Sequence, residues 1–140
     1  MVHACCVDGT NVVRGFHGYG GPDFRSQEEA DAARLVTALS QLCEALEGRI
    51  EVEVFFDGAT RPLASRGSNI RVRFTREVSA DDLILDRVRS SRYSNSGRVT
   101  VVTGDGELGR KAADEGGRWL RVAPRAPLET VLSAIEKRFS

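Results

Sequence analysis

Carboxylates follow the strand-like runs of this sequence, and their placement is its most informative chemical feature. Asp8 follows V-H-A-C-C-V, Asp57 follows I-E-V-E-V-F-F, and Asp105 comes two residues after R-V-T-V-V-T. Asp81 and Asp82 stand at the expected start of a helix. Carboxylate oxygens bind hard divalent cations such as Mg²⁺, and such a cation can generate a hydroxide nucleophile and neutralise the charge of a scissile phosphate. Because clustered carboxylates are costly without a cation, the pattern predicts a metal site.

Each aspartate also has a purely structural interpretation. Asp57 precedes a glycine, as turn residues do, and Asp105 lies between two glycines before an expected helix. Asp82 follows Ser79 at the spacing of a helix capping box. The joint placement favours a metal site over these separate roles. The side chains can converge only if their strands are neighbours, which the sequence does not establish.

The chain has the length of one α/β domain, and we expect residues 1–140 to form a single domain. Apolar runs predict strands over 2–7, 50–56, 69–75, 98–103 and 119–122. Period-3.6 patterns predict helices over about 27–46, 79–92, 106–115 and 128–138. This alternation predicts a mostly parallel central sheet of four to five strands with helices on both faces. Functional residues of such sheets lie beyond the carboxyl ends of the strands.

The glycine-rich run 14–22 is predicted to be a loop. Its glycines have some likeness to a dinucleotide fingerprint, but a working fingerprint opens a helix directly after the strand. Here the first helix is expected to start several residues later. We therefore interpret the run as a flexible flap, whose His17 and Tyr19 are more typical of a solvated loop than of a substrate site.

Composition excludes several classes of function. Twenty basic and twenty acidic residues cancel, so net charge alone predicts no nucleic-acid or acidic partner. The three cysteines lack C-x-x-C spacing, which argues against zinc and a disulfide framework and favours a reducing cytoplasm. The chain has no leader pattern, and no apolar run approaches the ~20 residues of a membrane span. We expect a soluble, cytoplasmic protein without a membrane partner.

Four motifs occur in order along nearly the whole chain: D-G-T-N-V at 8–12, V-F-F-D-G at 54–58, F-T with S-A-D-D-L-I at 74–84, and V-V-T-G-D at 101–105. Together they resemble the NYN branch of the PIN-like nucleases, particularly its bacterial YacP-like members. The resemblance implies a three-layer α/β/α PIN-like fold. It also implies endoribonuclease activity that depends on Mg²⁺ or Mn²⁺.

The resemblance further implies roles for particular residues. Asp8, Asp81 and Asp105 would be catalytic, metal-binding carboxylates. Asp82 and Asp57 would support the metal, and Asn11 would orient Asp8 or hold a metal-bound water. The sequence departs from the family pattern at Thr10, where YacP-like proteins usually have tyrosine, and at Val78, which replaces a glutamate. These departures bear on subfamily and substrate more than on the chemistry.

Cationic residues provide candidate contacts to RNA, because phosphate contacts supply most sequence-independent affinity. Arg61 and Arg66 fall in a predicted loop, and Arg89 and Arg92 share one face of the predicted helix after Asp81. We expect these four arginines and Thr103 to bind substrate. For each arginine, a solvated surface position is the alternative.

Two functions from different classes remain open. The first is a divalent-metal-dependent endoribonuclease acting on single-stranded RNA, such as mRNA, tRNA or rRNA and including RNA on the ribosome. The second is an RNA-binding or ribosome-associated module that keeps the acidic fold without turnover. Either would be a monomer or a homodimer. A phosphatase of another α/β fold is disfavoured because no aspartate stands two positions after Asp8.

Overall fold

The computed structural model describes residues 2–17, 23–63, 67–93 and 98–140 of the chain. Strands and helices alternate along it. In chain order they are β1 (His3–Asp8), α1 (Gly9–His17), α2 (Phe24–Ala45), β2 (Ile50–Asp57), β3 (Ile70–Thr75), α3 (Ala80–Tyr93), β4 (Thr100–Thr103), α4 (Gly106–Asp114), β5 (Arg118–Arg121) and α5 (Leu128–Phe139).

The five strands form one parallel sheet in the order β3-β2-β1-β4-β5. β1 is central, and it pairs with β2 from His3 to Asp8 and with β4 from Cys5 to Val7. This arrangement confirms the predicted α/β class, with all strands parallel. It also places β2, β1 and β4 side by side, which is the condition for their terminal aspartates to converge.

Helices cover both faces of the sheet. One core cluster packs α1, α2 and α5 against one face, and a second packs α3 and α4 against the other. β1 contributes to both, because Cys5 and Val7 belong to the first cluster and Cys6 belongs to the second. Burial on both faces explains why β1 has a continuous apolar run, whereas β2 begins with alternating buried and more exposed residues.

The start of α1 corrects two predictions. The helix begins at Gly9, directly after β1, so the delayed helix start expected from the sequence was wrong. Residues 14–17, predicted to be loop, belong to α1, and residues 18–22 lie outside the described part of the chain. Turn-forming residues also suit helix starts, and Val12 and Val13 anchor the new helix in the core. The interpretation of the remaining glycines as a flap stays a prediction.

Gly9 has a steric role where α1 meets β2. A Cβ at this position would lie 2.7 Å from the Phe56 ring and 2.9 Å from the Phe55 carbonyl oxygen. Contacts this short are too close for any larger residue, so glycine lets the helix begin against the end of the neighbouring strand. Across the described ranges, no helix has both the length and the apolar character needed to cross a membrane.

Candidate active site

Aspartates from neighbouring strands lie at the same carboxyl edge of the sheet. Asp57 ends β2, Asp8 ends β1, and Asp105 follows β4 directly after Gly104. Asp81 joins them from the first turn of α3, because the Ala80 backbone N–H donates to Asp57 Oδ1 at 3.2 Å and ties that helix to β2. We call Asp8, Asp57, Asp81 and Asp105 the acidic edge.

Asp8 is the most buried member of the acidic edge, with 4% of its surface exposed. The Thr103 hydroxyl donates to Asp8 Oδ2 at 2.9 Å. Burial raises the pKa of Asp8 to about 7, opposed by the Thr103 hydrogen bond and increased by the charges of Asp81, Asp57 and Asp105. The negative charges of the other three carboxylates therefore act on Asp8.

Thr103 organises the connection between β4 and α4. Thr103 Oγ1 accepts a hydrogen bond from the Asp105 N–H at 3.0 Å. The Thr103 hydroxyl hydrogen is directed to Asp8 Oδ2, because this oxygen is nearer to Oγ1 than Asn11 Oδ1, which lies 3.4 Å away. Thr103 is fully buried, so the predicted direct contact with substrate is corrected to a positioning role. Asn11 Oδ1 accepts from the Gly104 N–H at 2.8 Å, so in this structure Asn11 fixes the turn before Asp105.

Asp105 combines its position at the acidic edge with a structural role. It is the N-cap of α4, and its Oδ1 accepts from the backbone N–H groups of Glu107 at 2.9 Å and Leu108 at 3.4 Å. This confirms that the carboxylate precedes a helix N-terminus, which favours negative charge. Its second oxygen makes no hydrogen bond with the described residues.

Asp57 links three elements. Its Oδ1 accepts from the Thr75 hydroxyl at 3.2 Å in addition to the Ala80 N–H, and its own N–H donates to Thr10 Oγ1 at 2.9 Å. The side chain therefore connects β2, β3 and α3. The same contacts fix the start of α3, and with it the position of Asp81.

Asp81 and Asp82 occupy the first turn of α3. Burial raises the pKa of Asp81, with further contributions from the charges of Asp105, Asp57, Asp82 and Glu107. Asp82 is exposed, and its N–H donates to Ser79 Oγ at 3.1 Å, which is one half of the predicted capping box.

The donor set suits a hard divalent cation in kind. Within the described ranges, neither the four aspartates of the acidic edge nor Asp82 forms an ion pair. Their side chains are not gathered into a ready cage, because no three His, Cys, Asp or Glu residues of the described part form a metal-binding group as they stand. Mg²⁺ typically keeps several waters and uses only one or two protein carboxylates, so an open arrangement of oxygen ligands is compatible with it.

The predicted RNA-binding arginines lie in different places. Arg61 follows β2 and lies beside Asp57. Arg89 lies about 12 Å along α3 from Asp81, and it forms ion pairs with Asp86 and with Glu115 at the far end of α4, each at 3.4 Å. The structure therefore does not bring Arg89 to the acidic edge. Residue 66 and the side chain of residue 92 lie outside the described part of the chain.

Two residues near the site were not predicted from the sequence. The Trp119 indole N–H donates to the Thr103 carbonyl oxygen at 3.0 Å, and its ring fills the space beside Gly109. Trp119 lies on edge strand β5 and is only partly buried. Arg110 folds back over Gly106 at the start of α4, and its spacing of four residues from Gly106 in the predicted helix was the available sequence signal.

The fold and the acidic edge define the class of protein, an α/β domain with a parallel sheet and carboxylates at the carboxyl edge of that sheet. A family model described as the YacP-like NYN domain matches residues 5–138, and the chain belongs to this family. The crystal structure of Rae1 (YacP) from Bacillus subtilis (W164L mutant) is similar, with a TM-score of 0.64 and 19% sequence identity, covering 98% of this chain and 79% of that chain. This structural likeness shows the shared fold. Among curated proteins, none matches the sequence.

Proposed function

We propose that this protein is a metal-dependent endoribonuclease that cleaves single-stranded RNA, with Asp8, Asp81 and Asp105 holding Mg²⁺ or Mn²⁺. The observation that carries the proposal is the buried Asp8 carboxylate, which has other carboxylates around it and no cationic side chain paired with it in the described part of the chain. Such a group is costly without a cation. Membership of the YacP-like NYN family supports RNA processing as the setting.

The residues of the acidic edge would hold their positions by contacts already in place. A bound divalent cation would supply an activated water and would neutralise charge on the scissile phosphate. Thr103 fixes one oxygen of Asp8, and the α4 backbone fixes one oxygen of Asp105. Asp57 anchors the first turn of α3 and thereby places Asp81. These contacts limit the movement of the Asp8 and Asp105 carboxylates and fix where α3 begins, which suits a precise catalytic site.

Arginines on either side of the acidic edge would bind the RNA backbone. Arg61 follows β2 and Arg110 follows β4, and neither has a carboxylate partner among the described residues. A guanidinium binds phosphate bidentately, which suits this position.

The RNA could be mRNA, tRNA or rRNA, free or on the ribosome, and the protein could be a monomer or a homodimer. We place it in the cytoplasm, since Cys5, Cys6 and Cys43 are free thiols.

The proposal is tested by incubating labelled single-stranded RNA with the protein in Mn²⁺, in Mg²⁺ and in EDTA. We expect cleavage with either cation, and a loss on the order of 100-fold or more in Asp8→Asn and Asp105→Asn. Asp114→Asn is the matched control, because it makes the same change at an exposed position at the other end of α4. Absence of cleavage by the parent, or full activity in both variants, would refute the nuclease.

One observation favours the second candidate, an RNA-binding module without turnover. In the described ranges the carboxylates do not form a metal-binding group as they stand, and one oxygen of Asp105 is already used to cap α4. If the protein is such a module, the parent and the Asp8→Asn variant should bind RNA equally well. It would also gain no thermal stability from Mn²⁺. The nuclease is distinguished by metal-dependent cleavage and by metal-dependent stabilisation that requires Asp8.

A further inference from the structure

A cavity of about 460 Å³ lies next to the acidic edge, between α1, α2 and the loop that follows β2. Thr10, Phe56, Asp57, Gly58 and Arg61 are among the residues that line it. The hydrogen bond from the Asp57 N–H to Thr10 Oγ1 joins the cavity wall to the acidic edge. A strand of RNA passing over Asp8 would therefore have this cavity beside it.

Arg61 packs against two aromatic rings in the wall of this cavity. Its guanidinium carbon lies 5.8 Å from the ring centroid of Phe56 and 5.1 Å from that of Phe74, and these two rings stack on each other. Nη1 donates to the Asp57 carbonyl oxygen at 3.4 Å. Within the described part of the chain, Arg61 has no carboxylate partner, and its Nε is buried without a hydrogen-bond partner.

A cation restrained in this way is pre-organised for an anion. Stacking on two rings fixes the planar guanidinium, so binding loses little side-chain entropy. Packing over aromatic rings alone would not require a charged group, and the terminal nitrogen Nη2 has no hydrogen-bond partner in the described part of the chain and is not buried, so it is available to an anion. The arrangement is explained if an anionic ligand enters the cavity and binds the guanidinium.

Of the other charged residues that line the cavity, two are paired with each other, two lie at its rim, and Asp57 forms no ion pair within the described part of the chain. Glu28 Oε1 accepts from Arg14 Nε at 3.2 Å, which offsets the negative charge of that wall. Asp57 Oδ1 already accepts two hydrogen bonds. Arg25 and Glu29 are exposed at the rim. Arg61 is therefore the cation best placed to bind an anion inside the cavity.

We propose that this cavity is a phosphate subsite for RNA, in which Arg61 binds a phosphate next to the one held at the acidic edge. The proposal rests on the proposed function for the identity of the ligand. It does not depend on cleavage, because phosphate binding by Arg61 requires no metal. Arg25 at the rim would support the same phosphate or its neighbour.

The first test measures binding of fluorescein-labelled single-stranded RNA by anisotropy in EDTA over a range of salt concentrations. Arg61→Met retains an unbranched side chain to cover Phe56 and Phe74 but removes the charge. We expect roughly tenfold weaker binding and a salt dependence shallower by about 0.7 in log–log slope. Arg98→Met is the control, because Arg98 is exposed before β4, at the opposite end of the sheet.

Two further variants test the charge and the shape of the site. Glu29→Gln removes a negative charge at the rim, so we expect RNA binding to tighten by roughly twofold. Arg61→Lys keeps the charge without the planar fork, so we expect binding between that of the parent and that of Arg61→Met. Equal binding by the parent and Arg61→Met, or equal losses in Arg61→Met and Arg98→Met, would overturn the subsite.

A second test needs no variant. Uridine 3′,5′-bisphosphate is titrated into the ¹⁵N-labelled parent in EDTA, and we expect the largest amide shifts at Thr10, Gly58 and Ala59. Shifts confined to other regions would overturn the subsite. RNA binding through Arg61 by a parent that never cleaves would keep the subsite and refute the nuclease. Metal-dependent cleavage by the parent, together with undiminished RNA binding by Arg61→Met, would keep the nuclease and refute the subsite.

Discussion

Two acidic regions on the same sheet differ in whether their carboxylates are paired with arginines. Glu53, on the face of β2 that α3 partly covers, accepts from Arg73 Nε at 2.7 Å and from Arg87 Nε at 3.1 Å, and its side chain is 19% exposed. Asp8 is more deeply buried and has no cationic partner within the described part of the chain. The fold can therefore pair a carboxylate with two arginines, but does not do so at the acidic edge.

This difference is the one expected between a structural group and a proposed functional one. A paired, partly exposed carboxylate contributes modestly to stability. An unpaired buried carboxylate lowers stability at neutral pH, because burial and neighbouring negative charges disfavour its ionised form. Residues that reduce stability in the free protein are typical of ligand sites, and here the missing partner would be a divalent cation.

The largest expected effect on stability is at Asp8. Its pKa in the folded protein is about 7, above its ordinary value of 3.8, so the folded state holds the proton more tightly than the unfolded state. This contribution is fully present below pH 3.8 and is lost as pH rises through about 7. In EDTA above pH 7, we expect Asp8→Asn to be more stable than the parent by on the order of 2–4 kcal/mol.

Urea unfolding of both proteins at pH 5, 6, 7 and 8 measures this difference and cancels the other titrating groups. The stability of Asp8→Asn relative to the parent should increase over this range and level off above pH 7. Asp114→Asn should follow the parent at every pH. A relative stability of Asp8→Asn that does not change with pH would show that Asp8 titrates normally.

The opposite sign is expected when the paired carboxylate is changed. Glu53→Gln leaves Arg73 and Arg87 without their shared partner, so we expect a loss of about 1 kcal/mol in the free energy of unfolding. Because all three side chains are partly exposed, the loss should shrink at high salt. Urea unfolding in low and high NaCl checks both statements. A stabilised Glu53→Gln protein would remove the contrast between the two regions.

The smallest expected effect is at Trp119. Trp119→Phe removes the N–H that donates to the Thr103 carbonyl but keeps an aromatic ring beside Gly109. We expect a loss of about 0.5–1 kcal/mol in stability. Because Thr103 also holds Asp8, RNA cleavage should fall several-fold at a temperature at which the variant remains folded. Unchanged cleavage with reduced stability would limit Trp119 to a structural role.

The sequence predicted the parts of the site that depend on local pattern. Asp8 and Asp57 follow apolar runs that reflect burial in the sheet, so their positions at strand ends were readable. The strand order that makes them neighbours depends on long-range pairing, which no local pattern encodes. The same limit applies to Thr103, because its bond to Asp8 spans 95 residues. Helical periodicity predicted the helix face on which Arg89 lies, but it did not predict the distance of Arg89 from the acidic edge.

The central claim is that the acidic edge leaves its carboxylates unpaired because it binds a divalent cation. The direct test is thermal unfolding at pH 7.5 in EDTA and in Mn²⁺, for the parent, Asp8→Asn and Asp114→Asn. A ligand present at 100 times its dissociation constant stabilises by about 2.7 kcal/mol, so the parent and Asp114→Asn should gain several degrees. Asp8→Asn should gain little or nothing. No gain in the parent, or an equal gain in Asp8→Asn, would contradict the metal site.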